Sequence, residues 1–127
     1  MKKIINSVNA PAPVGPYNQA ILANGFLFVS GQIGIDPASG KLVNGGIRAQ
    51  TMQVMKNHIA ILTEAGMDFS NVVKVNLSIS DITNFKNVNE VYAEYFSDES
   101  PARETMEVSN LPLKADVMIS LVAVQKK

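Results

Sequence analysis

The 127-residue chain contains no cysteine. Disulfides, thiolate nucleophiles and cysteine-based zinc or iron–sulfur centres are therefore excluded, and the composition fits a reducing, cytoplasmic compartment. Only one histidine is present, His58, which leaves no metal site of the usual zinc kind. Neither sign of charge is in excess, because 11 basic and 11 acidic residues cancel and neither is gathered into a run. The electrostatic footprint of a nucleic-acid or anionic-membrane binder is thus missing, which argues against both partners. No apolar run is long enough for a signal peptide or a bilayer span. The glycines never form the spaced triplet between strand and helix that cradles phosphates. Ser30 lies in Val-Ser-Gly-Gln rather than in a Gly-x-Ser-x-Gly elbow, so with one histidine in the chain it reads as a turn residue or a ligand contact, not a triad nucleophile. A small ligand or a protein partner is what remains.

The length predicts a single domain over residues 1–127. Residues 9–17 carry three prolines and Gly15 and read as an arm rather than a regular element. Residues 20–22 and 26–30 flank Asn24-Gly25, the strongest short hairpin signal, and should pair antiparallel. Residues 31–46 read as loop, with a turn at Asp36-Pro37-Ala38-Ser39-Gly40. Ile47, Val54, His58 and Leu62 then form one helical stripe, with Thr51, Met55 and Ile59 beside it, ending at Ala65-Gly66. On that stripe His58 reads as packed and hydrogen-bonded. Val73, Val75, Leu77 and Ile79 alternate with polar residues, as in a strand with one apolar face. Asn84 is placed to cap a second helix carrying Phe85, Val88, Tyr92 and Tyr95 or Phe96, with Asn89 at the border of its stripe. After a break at Asn110-Leu111-Pro112, residues 115–124 form a last strand, apolar on both faces.

The order strand, strand, helix, strand, helix, strand, strand predicts an α+β fold: a mixed sheet with both helices packed on one face. The first hairpin and the last strand also carry apolar residues on the opposite face. One chain has no third helix to cover them, so burial against another subunit is expected.

Arg103 is the residue best placed for chemistry. Pro101 fixes its own φ and biases Ser100 to extended backbone, so the turn delivers Arg103 onto the start of a strand in a defined direction. A guanidinium held in one plane can grip a carboxylate with two parallel hydrogen bonds. A solvated arginine at a strand edge is the plainer alternative. With Tyr17, Tyr92, Ser30 and Asn89, Arg103 makes a set that can bind and orient an acid but offers little for difficult acid–base catalysis.

Several segments together resemble the RidA (YjgF) family of reactive-intermediate deaminases: APVGPYNQ at 12–19, VSGQI at 29–33, DPASGKLV at 36–43, Gln50-Thr51, Ala65-Gly66, NVVKV at 71–75, NVNEVYAEYF at 87–96, Pro101-Ala102-Arg103 and Leu111-Pro112. The resemblance implies a chorismate-mutase-like fold, a homotrimer whose sheets line a central barrel, and sites between subunits. It implies hydrolysis of 2-imino or enamine acids, such as 2-aminoacrylate, to 2-oxo acids and ammonia without a cofactor. By position, Arg103 would hold the substrate carboxylate, Tyr17, Ser30, Gly31 and Thr105 would line the pocket, and Asn89 would fix the neighbouring loop. One position departs: deaminating members usually have an acidic residue on the last strand, where this chain has Met118 and Ser120. Gly34 and His58 are smaller departures. A non-catalytic trimer that binds small carboxylates is one alternative, which the missing acid favours. A ribonuclease or translation inhibitor, a label the family has carried, is another, against which neutral charge and the lone histidine count.

Overall fold

The computed structural model describes residues 1–96 and 99–127. In chain order its elements are β1 (Lys3–Ile5), β2 (Ala20–Ala23), β3 (Phe26–Gln32), β4 (Ile35–Asp36), β5 (Lys41–Leu42), α1 (Gly46–Glu64), β6 (Val72–Ile79), α2 (Phe85–Ala93), β7 (Ala102–Glu107) and β8 (Val117–Val124). Six strands form one mixed sheet in the order β1-β2-β3-β8-β6-β7, antiparallel throughout except for the parallel pair β6 and β7. Both helices pack on one face over a shared core that includes Val54, Ile61, Leu77, Val88, Val117 and Ile119, so the predicted α+β layering holds.

Asn24 (φ 51°) and Gly25 (φ 79°) both take positive φ, as a two-residue hairpin loop of the I′ kind requires. They register Ala23 against Phe26. α1 ends as expected, with Gly66 at φ 73° and the N–H groups of Gly66 and Met67 donating to Thr63 and Leu62 at 2.9 and 2.8 Å. Only glycine adopts that backbone without strain.

The structure corrects five local expectations. Ile59, placed beside the α1 stripe, is exposed, and the fully buried residue is Ile61. At about 100° per residue Ile61 falls close to the line of Val54 and His58, whereas Ile59 falls far to one side. Asn84 makes no side-chain cap. A 3₁₀ turn (Ile82–Asn84) precedes α2, so the cap moves upstream to Asp81, whose Oδ1 accepts from the Thr83 N–H at 2.9 Å and the Thr83 hydroxyl at 2.6 Å. Val73 is exposed rather than on the apolar face, because the β6–β8 register shifts between Val72 and Lys74 and reverses the alternation there. Residues 31–46 are not all loop: β3 runs on to Gln32, carrying Ser30 as a strand residue rather than a turn residue, and β4 and β5 pair across the turn at 36–40. A further strand, β1, pairs with β2 at the edge.

Among the described residues no helix or second sheet covers the other face of the sheet. Phe26 and Phe28 lie on it 44% and 49% exposed, their rings 6.4 Å apart, and Val122 and Val124 of β8 pair with them.

Candidate functional site

Arg103 occupies the second position of edge strand β7. Its neighbours Ala102 and Glu104 are exposed, whereas Arg103 turns toward the helix layer. Nη1 donates to Oδ1 of Asn89 at 2.9 Å, and the guanidinium carbon lies 4.9 Å from the Tyr92 ring centroid and 5.5 Å from that of Phe85. Three residues of α2 therefore fix the plane of the guanidinium, which a bidentate grip on a carboxylate requires. The ion pairs among the described residues, Arg48 with Glu90 and Lys74 with Glu104, do not engage it. Tyr92 is 7% exposed; burial pushes its phenol up, and the charge of Arg103 pulls partly back. Ser100, Pro101, Tyr92 and Arg103 line a shallow depression. Thr105 shares the strand face of Arg103 but is not part of that lining. Glu107, farther along, accepts the Ile82 N–H at 2.8 Å through Oε1.

Tyr17, Ser30 and Gly31 form a second group on the far side of β8 and β6. The proline arm is held down by Gln19, which is 2% exposed. Its amide nitrogen donates to the carbonyls of Ser7, Ala10 and Pro11 at 3.0, 3.4 and 2.9 Å, and its Oε1 accepts from the Ser7 N–H at 2.7 Å. Ser30 ties β3 to the same arm, its hydroxyl donating to the Asn18 carbonyl at 2.7 Å and its N–H to that of Gln19 at 2.9 Å. At Gly31 the register of β3 against β8 shifts, and a Cβ there would stand 2.8 Å from the Met118 sulfur. On this side of the bulge lies a cleft of about 390 Å³, walled by the arm, the end of β3, Pro112-Leu113 and Met118. On the other lies a more polar hollow of about 480 Å³ on the uncovered sheet face, with Ser30, Asn76 and Ser120 in its lining. Tyr17, 47% exposed, borders both.

One chain does not unite the two groups. Arg103 pairs with Val75, Val75 with Leu121 and Leu121 with Val29, so roughly 14 Å of sheet, three strand spacings, separates the Arg103 backbone from that of β3. Gln19 and Asn57 were not legible as site residues. Asn57 donates to the carbonyls of Ile33 and Ile35 at 3.3 and 3.0 Å and so holds the segment that walls the cleft.

His58 is fully buried. Nε2 donates to the Ile119 carbonyl at 2.7 Å, and Nδ1 has no partner among the described residues. A proton on Nδ1 would put an unpaired charge in the core, and burial accordingly lowers the pKa to about 4. The imidazole is packed and hydrogen-bonded, as expected, and its burial favours the neutral form. Among the described residues no group of three histidine, cysteine or acidic side chains could hold a metal, and no helix is long and apolar enough to cross a membrane.

The family model described as endoribonuclease L-PSP matches residues 7–125. A RutC family protein of Aquifex aeolicus is 54% identical over 95% of this chain and 98% of its own length. A human protein named 2-iminobutanoate/2-iminopropanoate deaminase is 43% identical over 98% of this chain and 91% of its own. Among solved structures, a conserved Rid-family protein of unknown function from Yersinia pestis superposes with a TM-score of 0.96 at 46% identity, covering 98% of this chain and all of the other.

Proposed function

The chain belongs to the RidA/RutC family, whose model is described as endoribonuclease L-PSP, and from that premise we propose that it hydrolyses reactive 2-imino and enamine acids to 2-oxo acids and ammonia. We further propose that it works as a homotrimer with a chorismate-mutase-like arrangement, its uncovered sheet faces turned inward as a barrel, and that each site combines Arg103 of one subunit with the Tyr17, Ser30 and Gly31 wall of the next. The observation that carries this reading is the separation of two half-sites in one chain, together with the bare apolar face bearing Phe26 and Phe28. A heterologous contact closing into a three-fold ring would cover that face and bring the halves together.

The reaction asks little of the protein. Water adds to the imine carbon, the resulting carbinolamine passes a proton to nitrogen, and the C–N bond breaks to leave the 2-oxo acid and ammonia. Arg103, held by Asn89 and Tyr92, would grip the carboxylate, while the Tyr17, Ser30 and Gly31 wall would hold the imine carbon where water reaches it. Proximity alone accelerates such a step. With Met118 in place of an acid no carboxylate orients the water, so the rate should fall below that of acid-bearing relatives by up to about 10²- to 10⁴-fold. A trimer that binds 2-oxo acids without turnover is the second reading, and Met118 favours it. The ribonuclease reading is not favoured, since the one imidazole is sealed in the core.

The test couples a pyridoxal-phosphate dehydratase to ammonia detection and follows decay of 2-aminoacrylate with and without this protein. Faster ammonia release supports the deaminase. An unchanged decay, with 2-oxo acid still binding, leaves the binding module.

A further inference from the structure

The cleft beside Gly31 is lined mainly by carbon. Pro13, Val14, Ile33, Ile35, Leu113 and Met118 are among the apolar residues of its wall, Tyr17, Gln19 and Gln32 are its polar ones, and no lysine, arginine, aspartate or glutamate lines it. The amide of Gln19 is already spent on the carbonyls of the arm. A cleft of about 390 Å³ is far larger than the methyl group of 2-iminopropanoate, which would leave apolar wall against water.

Resting on the deaminase reading above, we propose that this cleft takes the substrate side chain and that the preferred substrates are 2-imino acids with branched aliphatic or aromatic side chains. Met118 is the specificity-determining residue. An acid at that position would place a carboxylate in the wall and disfavour an apolar side chain against it. Methionine instead is flexible and polarizable, and adapts to aliphatic and aromatic occupants alike.

This preference fixes the kind of reaction that supplies the substrate. Elimination from serine or threonine needs a leaving group on Cβ and gives only small enamines. An imine with a leucine or phenylalanine side chain arises when the amino acid loses hydride from Cα and a proton from nitrogen, the hydride passing to a flavin or nicotinamide acceptor. The protein would therefore act downstream of an amino-acid oxidase or dehydrogenase.

The experiment compares imines generated by an amino-acid oxidase from leucine and from alanine, with catalase present to remove peroxide, and in parallel titrates 4-methyl-2-oxopentanoate and pyruvate calorimetrically. A methylene in an apolar pocket is worth about 10-fold or more, so kcat/KM should favour the leucine-derived imine, and affinity the larger 2-oxo acid, by at least that factor. Met118→Glu should reduce or invert both ratios, whereas Met118→Leu should keep them. Deamination with equal or greater preference for the alanine-derived imine overturns the inference and spares the deaminase reading. Deamination of neither imine sinks that reading, and the 2-oxo acid affinities then decide the cleft by themselves: no preference for 4-methyl-2-oxopentanoate overturns it.

Discussion

Gly31 and Met118 share one space: the Met118 sulfur lies 2.8 Å, and its Cγ 3.0 Å, from where a Cβ on residue 31 would sit. The bulge of β3 and the thioether of β8 thus form one end of the cleft between them. Gly31→Ala should push the flexible Met118 side chain into the cleft, costing about 1 kcal/mol of stability by overpacking and weakening 2-oxo acid binding at least tenfold. Adding Met118→Ala should restore binding, since the two positions are coupled. Thermal unfolding and calorimetry check both halves, and undiminished affinity in Gly31→Ala would place the ligand elsewhere.

Arg103→Ala should leave the fold intact and cost 2-oxo acid binding roughly 2–4 kcal/mol, the usual loss when a charge-assisted pair is cut. Arg103→Lys should not rescue it, because an ammonium can neither make the fork nor stack flat beside Tyr92 and Phe85. Unchanged affinity in the alanine variant would remove Arg103 from the site.

Phe28→Asp should dissociate the assembly. The parent is expected at three chain masses in light scattering and the variant at one, because the substitution puts a carboxylate where an apolar face is buried. A monomeric parent at micromolar concentration would contradict both the barrel and the shared site.

The elements with strong local signals were legible. Asn24-Gly25 announced the hairpin, period-two alternation announced β6 and the 3.6-residue stripe announced α1. β1 has only three residues, and β4 and β5 two each, too short for any period to register. Val73 and Asn84 misled because a bulge and a 3₁₀ turn each displaced a pattern that the sequence displays unbroken. Arg103 stood out through its Pro-Ala turn and Asn89 through the family resemblance. The cleft itself was invisible: its walls come from residues 11–19, 31–35, 112–113 and 118, and only the folded sheet brings them together. Gln19 likewise shows nothing in sequence of the three carbonyls it holds.

His58 should make stability depend on pH. Its folded pKa, about 4, lies below the ordinary 6.5, so between those values the unfolded chain binds the extra proton and stability rises with pH. The contribution is complete above about pH 6.5 and fades toward pH 4, a change on the order of 3 kcal/mol at about 1.4 kcal/mol per unit. His58→Leu should flatten the denaturation profile across that window. An equally steep profile in the variant would assign the dependence to other groups.

The shared site is tested most directly by mixing two impaired variants. Arg103→Ala retains the cleft but lacks the grip, and Gly31→Ala retains the grip but lacks the cleft. If each site takes Arg103 from one subunit and Gly31 from the next, co-refolded equal mixtures will regain about a quarter of the parent's ammonia release, the share of interfaces with both intact halves in a randomly mixed cyclic trimer. A mixture that forms trimers and is no more active than the average of its components would show that the two half-sites never meet, and would contradict the account.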